Sequence, residues 1–232
     1  MRRTLTPELM DDPAIPEAVH RKALHGLSRL NGVCGVTSSL WPYLEDPLRR
    51  SGGRISLLDV ASGSSDVPIR LAQRARRHGR EIRLSGCDVS AFARRMALEQ
   101  AHAADVDMDY HTLDVTRDSF EDLGRHDVVM CNLFLHHLEE DAAAHVIRES
   151  ARAAKQLLII SDLRRDWQHV MLAATFPRLL TRSRVVHVDA VKSVRAAYSV
   201  GDLDRLATMA GLHDAQIRKV FPKRMVLAWS PR

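Results

Sequence analysis

Apolar positions along the chain follow two alternating registers. Between Glu17 and Leu30 they recur at helical spacing, with Val19, Ala23, Leu24, Leu27 and Leu30 on shared faces, and "SSLWPYLEDP" follows with two prolines as breakers. From Arg54 onward short apolar runs alternate with helical stretches. "ISLLDVA" reads as a buried strand and "DVPIRLAQRARRHG" as a helix closed by Gly79. "EIRLSGCDVS" is a strand leading into the helix "AFARRMALEQAHAA". "MDYHTLDV" and "DVVMCNLFL" are a third and a fourth strand, "EDAAAHVIRESARAA" a helix, and "QLLIISDL" a fifth strand. Strand alternating with helix predicts a doubly wound, mostly parallel sheet covered on both faces. Beyond the fifth strand, residues 163–199 make a mostly helical excursion, and a capped helix follows in "SVGDLDRLATMAGL". Two last strand-like runs, "AQIRKVF" and "RMVLAWS", are joined by the turn "PK", a connection short enough to force antiparallel pairing. The expected organisation is an α/β chain with a helical cap over residues 1–50 and a seven-stranded main domain over 51–232. Residues 163–199 form a lid within that domain.

Composition narrows the partners. The 232 residues are 45% hydrophobic and 27% charged, as in an ordinary soluble domain. No apolar run reaches membrane-spanning length and no apolar signal core follows the initial "MRR", so the expectation is a cytoplasmic protein. Cys34, Cys87 and Cys131 are odd in number and widely spaced, which predicts free thiols and neither a disulfide framework nor a zinc site. The net charge of +5 comes from arginines scattered along helical faces ("RLAQRARRHGR", "DLRRDW"), and aromatics are only 5% of the chain. This favours solvated helix surfaces over a nucleic-acid interface, and no His/carboxylate cluster asks for a metal.

The chemistry is concentrated at strand ends. In open α/β sheets ligands sit beyond the carboxyl ends of the strands, which places Asp59 to Asp66, Asp88, Asp114 and Asn132 on the binding side. The first loop, "LLDVASGSSD", has Ala61, Gly63 and Asp66 where a dinucleotide fingerprint has three glycines. A carboxylate at the helix start caps the helix and occupies the electropositive position that a pyrophosphate needs. The loop therefore prefers a ligand without phosphate. S-adenosylmethionine fits, because it carries adenosine with an ammonium and a sulfonium. Asp88 is placed for the ribose hydroxyls, and Asp114 for the adenine amino group.

Together "LLDVASGSSDVPIRLA", "GCDVS", "HTLDV" and "DVVMCNLFLHHLEE" resemble the motif series of the class I S-adenosylmethionine-dependent methyltransferases, from Arg54 to the C-terminus. The resemblance implies a Rossmann-like sheet ending in an antiparallel hairpin. The family's first motif, D/E-x-G-x-G-x-G, keeps only Gly63 here, with Ala61 and Ser65 in the other glycine places. It further implies that Asp59 and the backbone of Ala61, Ser62 and Gly63 hold the methionine end. Asp88 and Val89 would hold the ribose, Asp114 with Val115 the adenine, and Asn132 with Leu133 the sulfonium side.

The fourth-strand motif bears on the acceptor. Asn132-Leu133-Phe134-Leu135 lacks the Asn/Asp-Pro-Pro-aromatic corner of amino-methyltransferases, and Cys131 follows Met130 rather than the proline of cytosine-C5 enzymes. "LFLHHLEED" instead resembles small-molecule O- and C-methyltransferases of quinone and phenolic-lipid pathways. "LHGLSRLN" and "RSRVVHVDAVKSVRAAYSVGDL" are similar to methyltransferases that accompany bacterial polyketide synthases making alkylated phenols. The expected activity is O-methylation of a phenolic, polyketide-derived or quinol acceptor by a monomer or homodimer, yielding S-adenosylhomocysteine. Alternatives are C-methylation of the quinone type, a non-catalytic S-adenosylmethionine-binding protein, and a nucleotide-dependent oxidoreductase, which Asp66 disfavours. A phenol with a pKa of ~10 needs a base at neutral pH, and histidine suits the task. His136, His137 and His187 are the candidates. Trp41, Tyr43, Trp167, Met171, Phe176 and Tyr198 could line the acceptor pocket, and Arg29 and Asn31 could reach the cofactor carboxylate.

Overall fold

A computed structural model describes residues 1–12 and 14–231. Seven strands form one sheet in the order β3-β2-β1-β4-β5-β7-β6. They are β1 (Arg54–Val60), β2 (Glu81–Asp88), β3 (Met108–Thr112), β4 (His126–Asn132), β5 (Ala154–Leu163), β6 (Gln216–Val220) and β7 (Arg224–Trp229). The first five run parallel, and β7 pairs antiparallel with both β5 and β6. The expected sheet and terminal hairpin are therefore present.

Alternation along β1 shows why the sheet is covered on both faces. Leu58 and Val60 belong to one core, which also contains Ile147, Leu203 and Leu206; Ile55 and Leu57 belong to another, with Leu40, Leu44 and Leu71. The first core lies under α5 (Glu140–Ala153) and α9 (Val200–Met209). The second lies under α2 (Val36–Arg50), α3 (Asp66–Arg77) and α4 (Ala91–Ala103). Ser199 and Asp202 start α9 with a reciprocal capping box, as "SVGDLDRL" suggests.

The N-terminal half brings one correction. The prolines taken as breakers, Pro42 and Pro47, lie inside α2. Leu40, Leu44 and Leu48 recur every fourth residue and are wholly buried, so packing of this face overrides the local cost of proline. Before α2 comes α1 (Glu17–Val33), and the excursion after β5 forms α6 (Trp167–Thr175), α7 (Pro177–Leu180) and α8 (Arg184–Ala196). No described helix is long and apolar enough to cross a membrane. All three cysteines are free thiols.

Candidate functional site

The crevice forms where the chain reverses across the sheet. From β1 it proceeds outward through β2 and β3, then returns to β4 on the other side of β1, leaving a gap at the carboxyl ends of β1 and β4. A cavity of about 710 Å³ occupies it, lined by Asp59, Ala61, Ser62, Gly63, Asp88, Val89, Asn132, Leu133 and His137 among others.

The first loop keeps its turn despite losing glycines. Ala61, Gly63 and Ser65 all have positive φ, at 53°, 52° and 56°. Alanine and serine thus adopt the left-handed conformation that glycine takes freely, at roughly 1–2 kcal/mol each. Side chains hold them there. Ser62 Oγ donates to Asp59 Oδ2 at 2.7 Å, and the Tyr110 hydroxyl donates to the Gly63 carbonyl at 2.9 Å. A Cβ on Gly63 would meet nothing within 4 Å, so the loop's inner edge faces open space.

Acids dominate the cavity wall. Asp59 Oδ1 is buried without a partner, and burial pushes its carboxyl up to about 7, offset in part by Ser62 and reinforced by Asp66 and Asp88. Burial likewise raises Asp66 and Asp88. Asp88 accepts from the Gly63 and Ser90 amides at 3.0 and 2.9 Å. The helix cap itself is Ser65, while Asp66 is the first residue of α3, bonded by Asn31 Nδ2 at 3.3 Å and lying 3.7 Å from Arg70 Nη1. Three crowded carboxylates repel a pyrophosphate and attract a cation. Asn132 Oδ1, also buried without a partner, adds an acceptor at the end of β4. The site therefore fits S-adenosylmethionine, whose ammonium and sulfonium find acceptors here.

Asp114 and Val115, expected at the adenine, lie outside the cavity lining. β3 stops at Thr112, and Asp114 sits two residues beyond it, outside the cavity lining. Its carboxylate is turned back to accept from the Thr116 hydroxyl and amide at 2.6 and 3.0 Å, and the Thr116 hydroxyl bond holds its pKa low. Val115 is buried in the core that contains Phe120 and Cys87.

A second cavity of about 190 Å³ adjoins the first. Leu27, Leu30, Leu172, Phe176, Val186 and Val194 give it an apolar wall, and Glu8, Asp189, His136, His137, His169 and Arg224 add charged and polar groups. Met10, Leu27, Asn31, Leu133 and His137 line both spaces. Leu133 projects there from a left-handed backbone, φ 58°, and its amide N–H donates to the Ser161 carbonyl at 2.8 Å.

The three candidate histidines differ. His136 is buried, with Nδ1 2.7 Å from Asp162 Oδ1 and Nε2 3.7 Å from Glu8 Oε1. Burial alone would lower its pKa, but Asp162 and then Glu8 override this and push it up to about 10. His136 thus differs from a free base: it is buried and held between two carboxylates, which raise its pKa. His137 remains at the junction, with Nδ1 3.2 Å from Asp11 Oδ2. His187 is outside both linings, its Nε2 bonding the Thr181 carbonyl at 2.8 Å. Its helix turns Val186, Ala190, Ser193 and Val194 to the cavity, and His187 falls at the edge of that stripe, about 20° beyond Val194.

Other placements also differ from expectation. Phe176 lines the small cavity, whereas Trp41 and Tyr198 are core residues, Tyr43 packs against the core, and Trp167 and Met171 are exposed. Asn31 reaches both cavities; Arg29 lines a separate basic groove on α1. Sequence reasoning missed His169, Arg224 and the strap formed by residues 1–12. Asp189 accepts from the Leu9 and Met10 amides at 2.8 and 3.1 Å, and Arg3 donates to the Leu138 and Ala196 carbonyls at 2.6 Å each. The strap carries Glu8 and Asp11 to the histidines. Glu8, His136 and His137 thus offer ligand atoms all within 4.8 Å of one another, a His/carboxylate cluster that the sequence had not suggested.

Comparisons with known proteins agree with this fold. Residues 57–156 match the family model described as a methyltransferase domain. No curated protein matches the chain. Among solved structures, the plantazolicin methyltransferase BamL, in complex with a desmethyl analogue and SAH, aligns with TM-score 0.66 at 13% identity over 93% of this chain and 90% of its own. An O-methyltransferase family protein from Burkholderia thailandensis aligns with TM-score 0.63 at 20% identity over 88% and 57%. Magnesium protoporphyrin IX methyltransferase from Synechocystis PCC 6803, with bound SAH, gives 0.57 at 16% identity over 96% and 91%. The chain spans between 49% and 60% of the length of several such structures. Residues 57–156 are therefore a methyltransferase domain, carried in the class I fold that S-adenosylmethionine-dependent methyltransferases share.

Proposed function

We propose that the protein transfers a methyl group from S-adenosylmethionine to a hydroxyl of a small aromatic acceptor. The observation that carries this reading is the junction of an acid-walled cavity with a small apolar one, with Leu133 and His137 shared between them. When bound, S-adenosylmethionine supplies a methyl carbon activated by a positively charged sulfur. Asp59, Asp88, the Ala61–Gly63 backbone and Asn132 would hold it, each already facing the larger cavity. Leu133 and the apolar wall from α1, α6, α7 and α8 exclude water and orient the acceptor, and such alignment can supply about 7–11 kcal/mol of a displacement barrier. The excursion at 163–199 thus serves as the acceptor-side wall.

His137 is the base in this account. Donation of Nδ1–H to Asp11 leaves Nε2 as the atom that accepts the hydroxyl proton. His136 keeps its proton and anchors Glu8 and Asp162 around the site. Fold relatives include an O-methyltransferase family 2 protein from Planctomyces limnophilus in complex with apigenin, which supports a phenolic acceptor here.

The test is transfer of labelled methyl from S-adenosylmethionine into hydroxybenzoates and quinols. His137→Ala should lower kcat by about 10²- to 10⁴-fold while leaving S-adenosylhomocysteine affinity within about twofold. Binding of S-adenosylhomocysteine with no transfer to any acceptor would support the non-catalytic alternative instead. Label found on ring carbon would identify a C-methyltransferase.

A further inference from the structure

Arg224 opens β7, only 5% exposed, on the wall of the smaller cavity. Its Nη2 donates to Asn31 Oδ1 at 3.1 Å, whereas Nη1 is buried and has no protein acceptor. Among the described residues it makes no ion pair within 4 Å. The nearest acids to influence it, Asp162 and Asp66, are already engaged by His136 and by Asn31 with Arg70. Glu8 and Asp189 line the same cavity, but Glu8 is held by His136 and Ser193 and Asp189 by the Leu9 and Met10 amides, so the buried guanidinium has no carboxylate of its own and carries a large desolvation penalty. A compact anion in the cavity removes it through short, charge-assisted hydrogen bonds.

Resting on the proposed methyl transfer, we infer that Arg224 is the anion-recognition residue of the acceptor cavity. The acceptor then carries a carboxylate, or an equally compact anionic group, in addition to the hydroxyl that is methylated. The space agrees. A cavity of ~150 Å³ holds benzene, so about 190 Å³ takes one ring with a short substituent. His137 lies where that cavity meets the larger one, so a ring pinned by its anion at Arg224 can present a hydroxyl to His137. The alternative anion is the carboxylate of S-adenosylmethionine itself. Arg224 is absent from the larger cavity's lining, which favours the acceptor.

The experiment titrates the protein, saturated with S-adenosylhomocysteine, with 2-, 3- and 4-hydroxybenzoate and with the corresponding hydroxybenzamides. The acid of at least one pair should bind about tenfold or more tightly than its amide, a difference that Arg224→Met abolishes and Arg224→Lys partly retains. S-adenosylhomocysteine affinity should stay within about twofold in both variants. Equal binding of every acid and amide, or no binding of any acid, would overturn the inference. So would a tenfold loss of S-adenosylhomocysteine affinity in Arg224→Met, which would reassign the guanidinium to the cofactor. The acid-to-amide comparison on the unaltered protein stands even if a variant fails to fold, and absence of S-adenosylhomocysteine binding strikes the methyltransferase reading rather than this one.

Discussion

Single residues explain how the first loop works without its glycines. Ala61 and Ser65 hold positive φ because Ser62, Asp59 and Tyr110 hold the turn around them, so the turn survives at a conformational cost. Ala61→Gly relieves strain of roughly 1–2 kcal/mol and adds unfolded-chain entropy worth about 0.4–1 kcal/mol. The variant should therefore be more stable by about 0.5–1 kcal/mol in urea unfolding and still bind S-adenosylhomocysteine. Asp59 sets a pH dependence. Its carboxyl sits at about 7 when folded against 3.8 ordinarily, so the folded state keeps a proton that the unfolded chain has released. Its contribution to stability falls as pH rises from about 4 through 7. An ammonium-bearing ligand prefers the ionised carboxylate, so S-adenosylhomocysteine should bind more tightly at pH 8 than at pH 6, and Asp59→Asn should flatten that difference in calorimetry.

At the scale of elements, the alternating strands and helices were legible because apolar period marks them directly, and so were Asp59, Asp88 and Asn132, which lie at or next to the ends of β1, β2 and β4. Asp114 was expected at the end of β3, which stops two residues earlier at Thr112, a boundary that the apolar pattern does not fix. The strap was invisible for another reason. Residues 1–12 have no period, and their place is set by distant partners such as Asp189. Asp189→Ala leaves the Leu9 and Met10 amides without an acceptor. It should cost about 1–3 kcal/mol and speed hydrogen exchange at those two amides, while exchange in β4 changes little. Arg224 was equally hidden, since the start of "RMVLAWS" reads as an ordinary strand end until β7 is placed between β5 and β6.

Across the whole molecule, the strap, β4, β5 and α8 meet at one imidazolium. His136 rises from 6.5 to about 10 when folded, because Asp162 and Glu8 outweigh burial. Its contribution to stability is complete below pH 6.5 and is lost as pH rises through about 10. His136→Gln leaves two buried carboxylates unpaired and should destabilise the protein by about 3–5 kcal/mol at pH 7. The fall of Tm between pH 7 and 10 should flatten in the variant, which a mere packing defect would not produce. The sheet supplies the crevice, the acids give it a sign, and the helices beyond β5 wall the smaller cavity. The central claim is that the acid-walled cavity takes S-adenosylmethionine and no dinucleotide. The direct measurement is calorimetric titration with S-adenosylhomocysteine and, separately, NADH, on the unaltered chain and on Asp88→Ala. Saturable binding of S-adenosylhomocysteine alone, weakened about tenfold or more in the variant, is the predicted result. Preference for NADH, or no binding of S-adenosylhomocysteine, would contradict it.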